Sequence, residues 1–292
     1  MSTQSAERPE VGPLSLEAPQ LHEVRGPSTL GGGWRRTGEL LYLMAVTEFK
    51  RTYFGTALGP LWSVARPLML FGVLLVVFTQ AFHLNTTVPH YPVLLLLNIV
   101  LFGFFQEATS TAVGSIVSRE AVVRKTQFPR LVIPLSVVLT SVFNLGPNLV
   151  VVFAFILAFG VTPTWTWLGL ILIIAVLSVL TTAVSMIVSS LYPRFRDVGI
   201  IWTVFVSALF YATPVLYPLS QIKGHFRDLI ALNPLTPLFE LAEKWVVYPK
   251  AESPVAATSV GLVLASLAIF VVICLAGVVI FTREAPRIAE EL

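Results

Sequence analysis

No Asp, Glu, Lys or Arg occurs between Leu131 and Pro193, a run of 63 residues. Three more charge-free runs are Pro67 to Gln106 (40 residues), Val198 to Ile222 (25) and Ser253 to Thr282 (30). About 20 predominantly apolar residues in a helix cross a bilayer core of about 30 Å. Runs this long and this apolar place the chain inside a membrane. They also make its few charges the informative residues. Of the 292 residues, 55% are hydrophobic and 12% charged, which excludes an ordinary soluble domain and a disordered chain. Transmembrane β-barrels alternate polar and apolar residues, whereas VLLLLNIVLFGFF and LGLILIIAVLSVL do not. The expected fold is therefore an all-α polytopic membrane protein.

Each long run must fold back at a turn signal. HLNTTVPHYP (83–92) and GVTPTWTW (160–167) supply two. Six spans follow, at roughly 62–82, 92–117, 132–159, 166–190, 198–218 and 256–281. With the N-terminus inside, 15 of the 19 basic residues lie on the cytoplasmic side, and the remaining four all lie in 219–255. That asymmetry predicts two cytoplasmic termini. Residues 1–37 read as a disordered cytoplasmic tail without a signal-peptide core, 38–282 as the membrane domain and 283–292 as a short cytoplasmic end.

Within 38–54, Tyr42, Ala45, Val46, Phe49 and Tyr53 recur at helical spacing, which fits a helix lying in the cytoplasmic interface or a plain juxtamembrane anchor. The 219–255 segment has two apolar patches too short to span, divided by NPLTP. It reads as re-entrant outer helices between spans five and six, or as a loop with surface helices. The chain has no G-x-x-x-x-G-K-[ST] and no paired Cys or H-E-x-x-H motif. It is read as no enzyme in itself, with no metal site and no nucleic-acid partner, and its energy is expected from elsewhere. Its one cysteine, Cys274, lies in an apolar run and reads as packing.

Several segments together resemble the ABC-2 type permeases, the membrane subunits of polysaccharide and teichoic-acid ABC exporters. These are RTYFGTALGPLWSVARPL (51–68), FFQEATSTAVGSIVSREAVVRKTQFPRLVIPLS (104–136), LYPRFRDVG (191–199), YATPVLYP (211–218) and NPLTPLFE (233–240). The chain departs from the family pattern at Phe54-Gly55, and it lacks the Arg that many relatives carry after the Glu of NPLTPLFE. The resemblance implies a half-transporter that pairs with a second copy of itself. It implies two separate ATPase subunits that bind ATP and Mg2+, and a polymer carried on a polyprenyl diphosphate lipid as substrate. Export of a drug or small lipid is the alternative within the family, and a passive channel or scaffold is the alternative outside it.

Residue roles follow on that basis. Arg124, Lys125, Phe128, Pro129 and Arg130 form a basic, aromatic elbow expected to dock on the ATPase, although basic residues there also serve topology. Arg194, Phe195, Arg196 and Asp197 form a smaller second contact. Glu107 falls inside the second span. A charge there costs roughly 2.5–3.5 kcal/mol, while the eleven Leu, Ile, Val and Phe of 93–105 return roughly 3–7 kcal/mol on the same scale. The span survives, and the carboxylate requires water, a substrate path or a hydrogen-bond partner. Phe71, Phe78 and Phe82 share one face of the first span, and Trp202 and Phe205 one face of the fifth. With Tyr211 and Tyr217 they are candidates to line a sugar-conducting duct, against a plain packing role. Tyr42, Phe49 and Tyr53 would guard its cytoplasmic entry.

Overall fold

The computed structural model describes residues 34–53, 61–80, 88–120 and 129–284, and among these all regular structure is helical. The elements are α1 (Trp34–Tyr53), α2 (Leu61–Gln80), α3 (Tyr91–Val113), α4 (Val132–Ala158), α5 (Gly169–Leu191), α6 (Val198–Tyr211), α7 (His225–Ala231), α8 (Thr236–Ala242), α9 (Pro254–Ala257) and α10 (Val260–Glu284). Short 3-10 turns cover Val117–Arg119, Trp165–Leu168 and Leu219–Gln221, and a π-turn, Glu243–Val247, continues α8. Among the described residues, five helices are long and apolar enough to cross a membrane: α2, α3, α4, α5 with the turn before it, and α10.

The axis of the bundle is α3. From Tyr91 to Phe102 every residue is buried, because α2, α4, α5 and α6 all pack around it. Its sequence, YPVLLLLNIVLF, is apolar on every side, as a helix enclosed by other helices must be. α10 packs on α5, and α1 on α4. Arg119, Arg130, Arg194, Arg196 and Arg283 collect at one end, the basic end. The 219–257 segment folds over the other.

The expected fifth span, 198–218, is corrected by the structure. α6 ends at Tyr211, and its 14 residues rise only about 21 Å. Pro214 and Pro218 explain the stop, since proline disfavours helical backbone in the residue before it. The chain then turns irregularly while Thr213, Val215 and Leu216 stay buried. Carbonyls freed in this way need donors. Tyr91 Oη donates to the Leu216 carbonyl (2.8 Å) and Asn98 Nδ2 to the Pro214 carbonyl (3.1 Å). Asn233 Nδ2 donates to the Ala212 carbonyl (3.2 Å), and Tyr217 Oη to the Tyr211 carbonyl (2.6 Å). Irregular backbone is tolerated at membrane depth only when protein satisfies it in this way.

Two glycines set close approaches. A Cβ at Gly277 of α10 would stand 2.7 Å from the Ala183 carbonyl oxygen of α5. A Cβ at Gly169 would stand 2.3 Å from the Trp245 ring. Gly277→Ala is expected to cost ~1–3 kcal/mol, because backbone must move to admit the methyl. Gly146→Ala, whose Cβ would meet nothing within 4 Å, is the neutral control. Asn98→Leu orphans the buried Pro214 carbonyl and should cost ~1–3 kcal/mol. Thermal unfolding of the detergent-solubilised protein measures all three.

Candidate functional site

Below Phe102 the central helix opens to one side. Gln106, Glu107, Ser110 and Thr111 of α3 are exposed, while Phe104, Phe105, Ala108, Thr109 and Ala112 remain buried. The helical repeat gathers the exposed four into one polar stripe. The stripe opens between α2, which packs on α3 and α4, and α6, which packs on α3 and α5. On its α4 side the Glu107 carboxylate accepts a hydrogen bond from Asn144 Nδ2, and Asn148 Nδ2 donates to the Asn144 carbonyl (2.8 Å). Arg66 of α2 supplies an attractive positive charge.

The opposite side of α3 is fastened to α6. Trp202 Nε1 donates to Thr109 Oγ1 (3.2 Å), and the Phe210 ring meets Phe102 edge-on at 5.2 Å. Trp202 is thereby half-buried, with Phe205 tilted against it at 5.4 Å. Thr203, Phe205, Ser207 and Tyr211 are exposed on α6, together with Ile200, Ile201 and Val204. The Tyr217 hydroxyl bond brings Tyr217 to Tyr211 at its far end.

The other expected lining residues divide. Phe71 is buried and packs edge-on against Phe155 at 5.3 Å, so its ring serves packing. Phe78 is half-buried against the same core, and Phe82 lies outside the described residues. Of the elbow, Arg124, Lys125 and Phe128 lie outside the described residues, while the carbonyls of Pro129 and Arg130 accept from Val132 and Ile133 in the first turn of α4. The Arg194–Asp197 turn is exposed. Arg196 lies over the Tyr192 ring and Arg194 over Phe195, each at 5.2 Å. Tyr42 and Phe49 of α1 both meet Phe143 of α4 edge-on, at 6.3 and 6.2 Å. The side chain of Tyr53 falls outside the described residues.

Sequence reasoning passed over Asn98, Asn144 and Asn148, amides within otherwise charge-free runs. That setting was itself a signal, because an uncharged polar group in a span requires a partner.

A second polar cluster sits at the far end. Glu240, Glu243 and Glu252 line a cavity of about 230 Å3 with Gln221, Tyr248 and Lys250. Arg227 reaches Glu252 at 4.0 Å. Burial pushes the Glu240 carboxyl up to about 7, helped by the charges of Glu243 and Glu252 and opposed by Arg227. Burial alone pushes Glu243 up to about 7. Among the described residues no cluster of His, Cys, Asp and Glu has the geometry to hold a metal ion.

A bundle built on one buried central span, with a polar stripe cut into it, is a membrane transport architecture. The chain belongs to the ABC-2 type transporter family, whose model matches residues 39–247. It is 31% identical over 198 residues to an O-antigen export system permease protein of Klebsiella pneumoniae, covering 68% of this chain and 76% of that one. An O-antigen export system permease protein of Myxococcus xanthus is 30% identical over 201 residues, with the same coverage of 68% and 76%. A polysialic acid transport protein of Escherichia coli is 24% identical over 219 residues, covering 72% of this chain and 81% of its own. This is a multi-pass membrane permease, of a kind that resides in the inner membrane.

The two raised carboxyls give the far-end segment a pH dependence of definite sign. Their folded pKa values lie above the ordinary 4.5, so the stabilisation is fully present below that value. It is lost as pH rises through about 7. Amide exchange of 219–255 should therefore be slower at about pH 5.5 than at about pH 8.5. Exchange in a Glu240→Gln, Glu243→Gln double variant should lose most of that pH difference, once the intrinsic rate is corrected for.

Proposed function

We propose that this chain is the membrane subunit of an ATP-driven exporter that moves a lipid-linked cell-surface polysaccharide from the cytoplasm to the outer face of the membrane. Two copies pair, and two separate subunits bind and hydrolyse ATP with Mg2+. The names of the relatives support a polysaccharide substrate, which on this reading rides on a polyprenyl diphosphate lipid.

The single observation that carries the reading is the stripe of Gln106, Glu107, Ser110 and Thr111. Hydrocarbon offers it no hydrogen bonds, and each unsatisfied polar group there costs several kcal/mol. Lipid therefore cannot cover it. Water or a second copy can, and two such faces related by a twofold axis enclose a duct. Inside it, amide, carboxylate and hydroxyl groups exchange hydrogen bonds with sugar hydroxyls. Phe205, Tyr211 and the free edge of Trp202 offer apolar faces to sugar rings without gripping one point. Glu107 lies in this wall and Tyr217 near its outer end. Phe71 is left out of the lining because its ring packs on Phe155.

The positive-inside rule puts the basic end in the cytoplasm, and with it both termini. α6 and the tied turn 212–217 together make the fifth of six crossings, and 219–255 caps the exit. α1 guards the entry with Tyr42, Phe49 and Tyr53. The elbow of Arg124, Lys125, Phe128, Pro129 and Arg130 receives the ATPase. In the second contact, Arg196 lies against Tyr192 and Arg194 covers one face of Phe195, whose exposed remainder serves as the apolar knob.

Cysteine accessibility tests the path. In a Cys274→Ala background, Ser110→Cys and Thr203→Cys should react with a water-soluble thiol reagent in the working complex. Val272→Cys, on the apolar face of α10, should react only with a lipid-soluble one. Equal unreactivity of all three toward the water-soluble reagent in every nucleotide state would remove the duct. Hydrolysis of ATP by the purified chain alone would remove the partner ATPase.

A further inference from the structure

Arg119 is the last residue of the 3-10 turn that leaves α3, so it stands where the bundle hands over to the elbow. A basic residue needed only for topology would extend into water. The Arg119 side chain instead keeps only 17% of its surface exposed, and both arms of its guanidinium are engaged. Nη1 donates to Ser136 Oγ of α4 at 3.0 Å, and Nη2 to Glu48 Oε2 of α1 at 3.2 Å. The Ser136 hydroxyl is completely buried and donates its own proton to the Ile133 carbonyl (2.7 Å), so it faces Arg119 purely as an acceptor. One planar fork thus joins three elements, a task for which the point charge of a lysine is unsuited.

α1 does not need this bond merely to lie on α4. Ala45 is completely buried, Thr140 Oγ1 donates to the Ala45 carbonyl (3.3 Å), and Phe143 takes the rings of Tyr42 and Phe49. Those contacts fasten α1 to α4 but stop there. Met44 adds an apolar contact with the cluster of Ile116, Ile133, Met186 and Phe281, and Arg119 supplies the polar tie from α1 to the exit of α3. We propose that Arg119 is a coupling pin: through Glu48 and Ser136 it makes α1 move as one body with the exit of α3 and the first turns of α4, so that a displacement of these two ends shifts the Tyr42/Phe49 helix. The proposal rests on the transport reading above, in which the elbow receives the ATPase. It adds a positioning residue outside the duct and outside the elbow contact.

A charge swap tests it in the full complex. Glu48→Arg and Arg119→Glu should each lower surface delivery of polysaccharide by at least about tenfold, because each leaves like charges facing in a partly buried pair. The complex should still assemble and its ATPase still turn over. The double variant E48R/R119E restores the pair and should return export to within about threefold of wild type. Single variants that export like wild type would overturn the pin. So would a fully assembled double variant no better than the worse single variant. If the charge variants do not accumulate, Glu48→Cys and Arg119→Cys in a Cys274→Ala background, joined by a short bifunctional thiol reagent, give the second reading. Export that survives the bridge supports joint movement, and export abolished by the bridge overturns it. The wild-type control separates the two claims. Its failure to export polysaccharide defeats the transport reading, whereas a failure confined to the variants defeats the pin.

Discussion

Water is absent from the hydrocarbon core, so any carbonyl freed by a break in a helix there must find its donor within the chain. This one requirement organises the bundle. α6 is too short to cross alone, and the turn that follows it frees carbonyls from Tyr211 to Leu216. Two donors come from α3, through Tyr91 and Asn98, and a third comes from Asn233 of the far-end segment. α3 therefore cannot be an ordinary peripheral span. It must lie beside the break, and the segment capping the far end is registered against the same break. Ser266 of α10 extends the registration, because its hydroxyl donates to the Asn233 carbonyl (3.3 Å).

The same central helix changes character along its length. Its first half is enclosed by four neighbours and satisfies the backbone of the turn after α6. Its second half presents amides, hydroxyls and a carboxylate to one side. The contrast with α10 is physical. There Leu264, Leu267, Val271, Val272, Leu275 and Val278 are exposed, and none needs a hydrogen bond, so lipid is their natural cover. One molecule thus has two kinds of exposed surface within the membrane. Among the described residues, the stripe of Gln106, Glu107, Ser110 and Thr111 on α3 is a surface that calls for something other than lipid against it.

Glu107 shows how the tertiary structure refines a residue's role. An intramembrane carboxylate is a functional candidate by composition alone, and a hydrogen bond to a neighbouring helix is the plain alternative. The structure supplies the hydrogen bond, from Asn144, while leaving the side chain on the open stripe. Asn144 holds the carboxylate in place, and the side chain stays exposed on the stripe. At the basic end, Arg119 and Glu48 act differently. Each would count as an ordinary solvated charge in isolation, yet they meet across 71 positions of sequence.

The spans themselves are legible in the linear pattern of the chain. α2, α3, α4 and α5 begin and end within a few residues of the expected 62–82, 92–117, 132–159 and 166–190, and α10 is offset by about one turn from 256–281. The bilayer selects apolar length segment by segment, and length is a local sum that a linear reading can take. The proline-driven stop of α6 is equally local, but the expected helix runs through Pro214 because the apolar run does. Neighbour choice is not legible in this way. Phe71 and Phe78 share a face by spacing, yet spacing does not say whether that face meets Phe155 or open space. Three asparagines in apolar runs announce a need for partners without naming them, and Arg119 resembles any positive flank. Pairings of this kind depend on which helix faces meet and at what depth. Class, family and most crossings are therefore written along the chain, because each depends on residues that lie close together in it. Which polar groups are tied to one another, and which are left exposed, is settled only when distant helices are packed side by side.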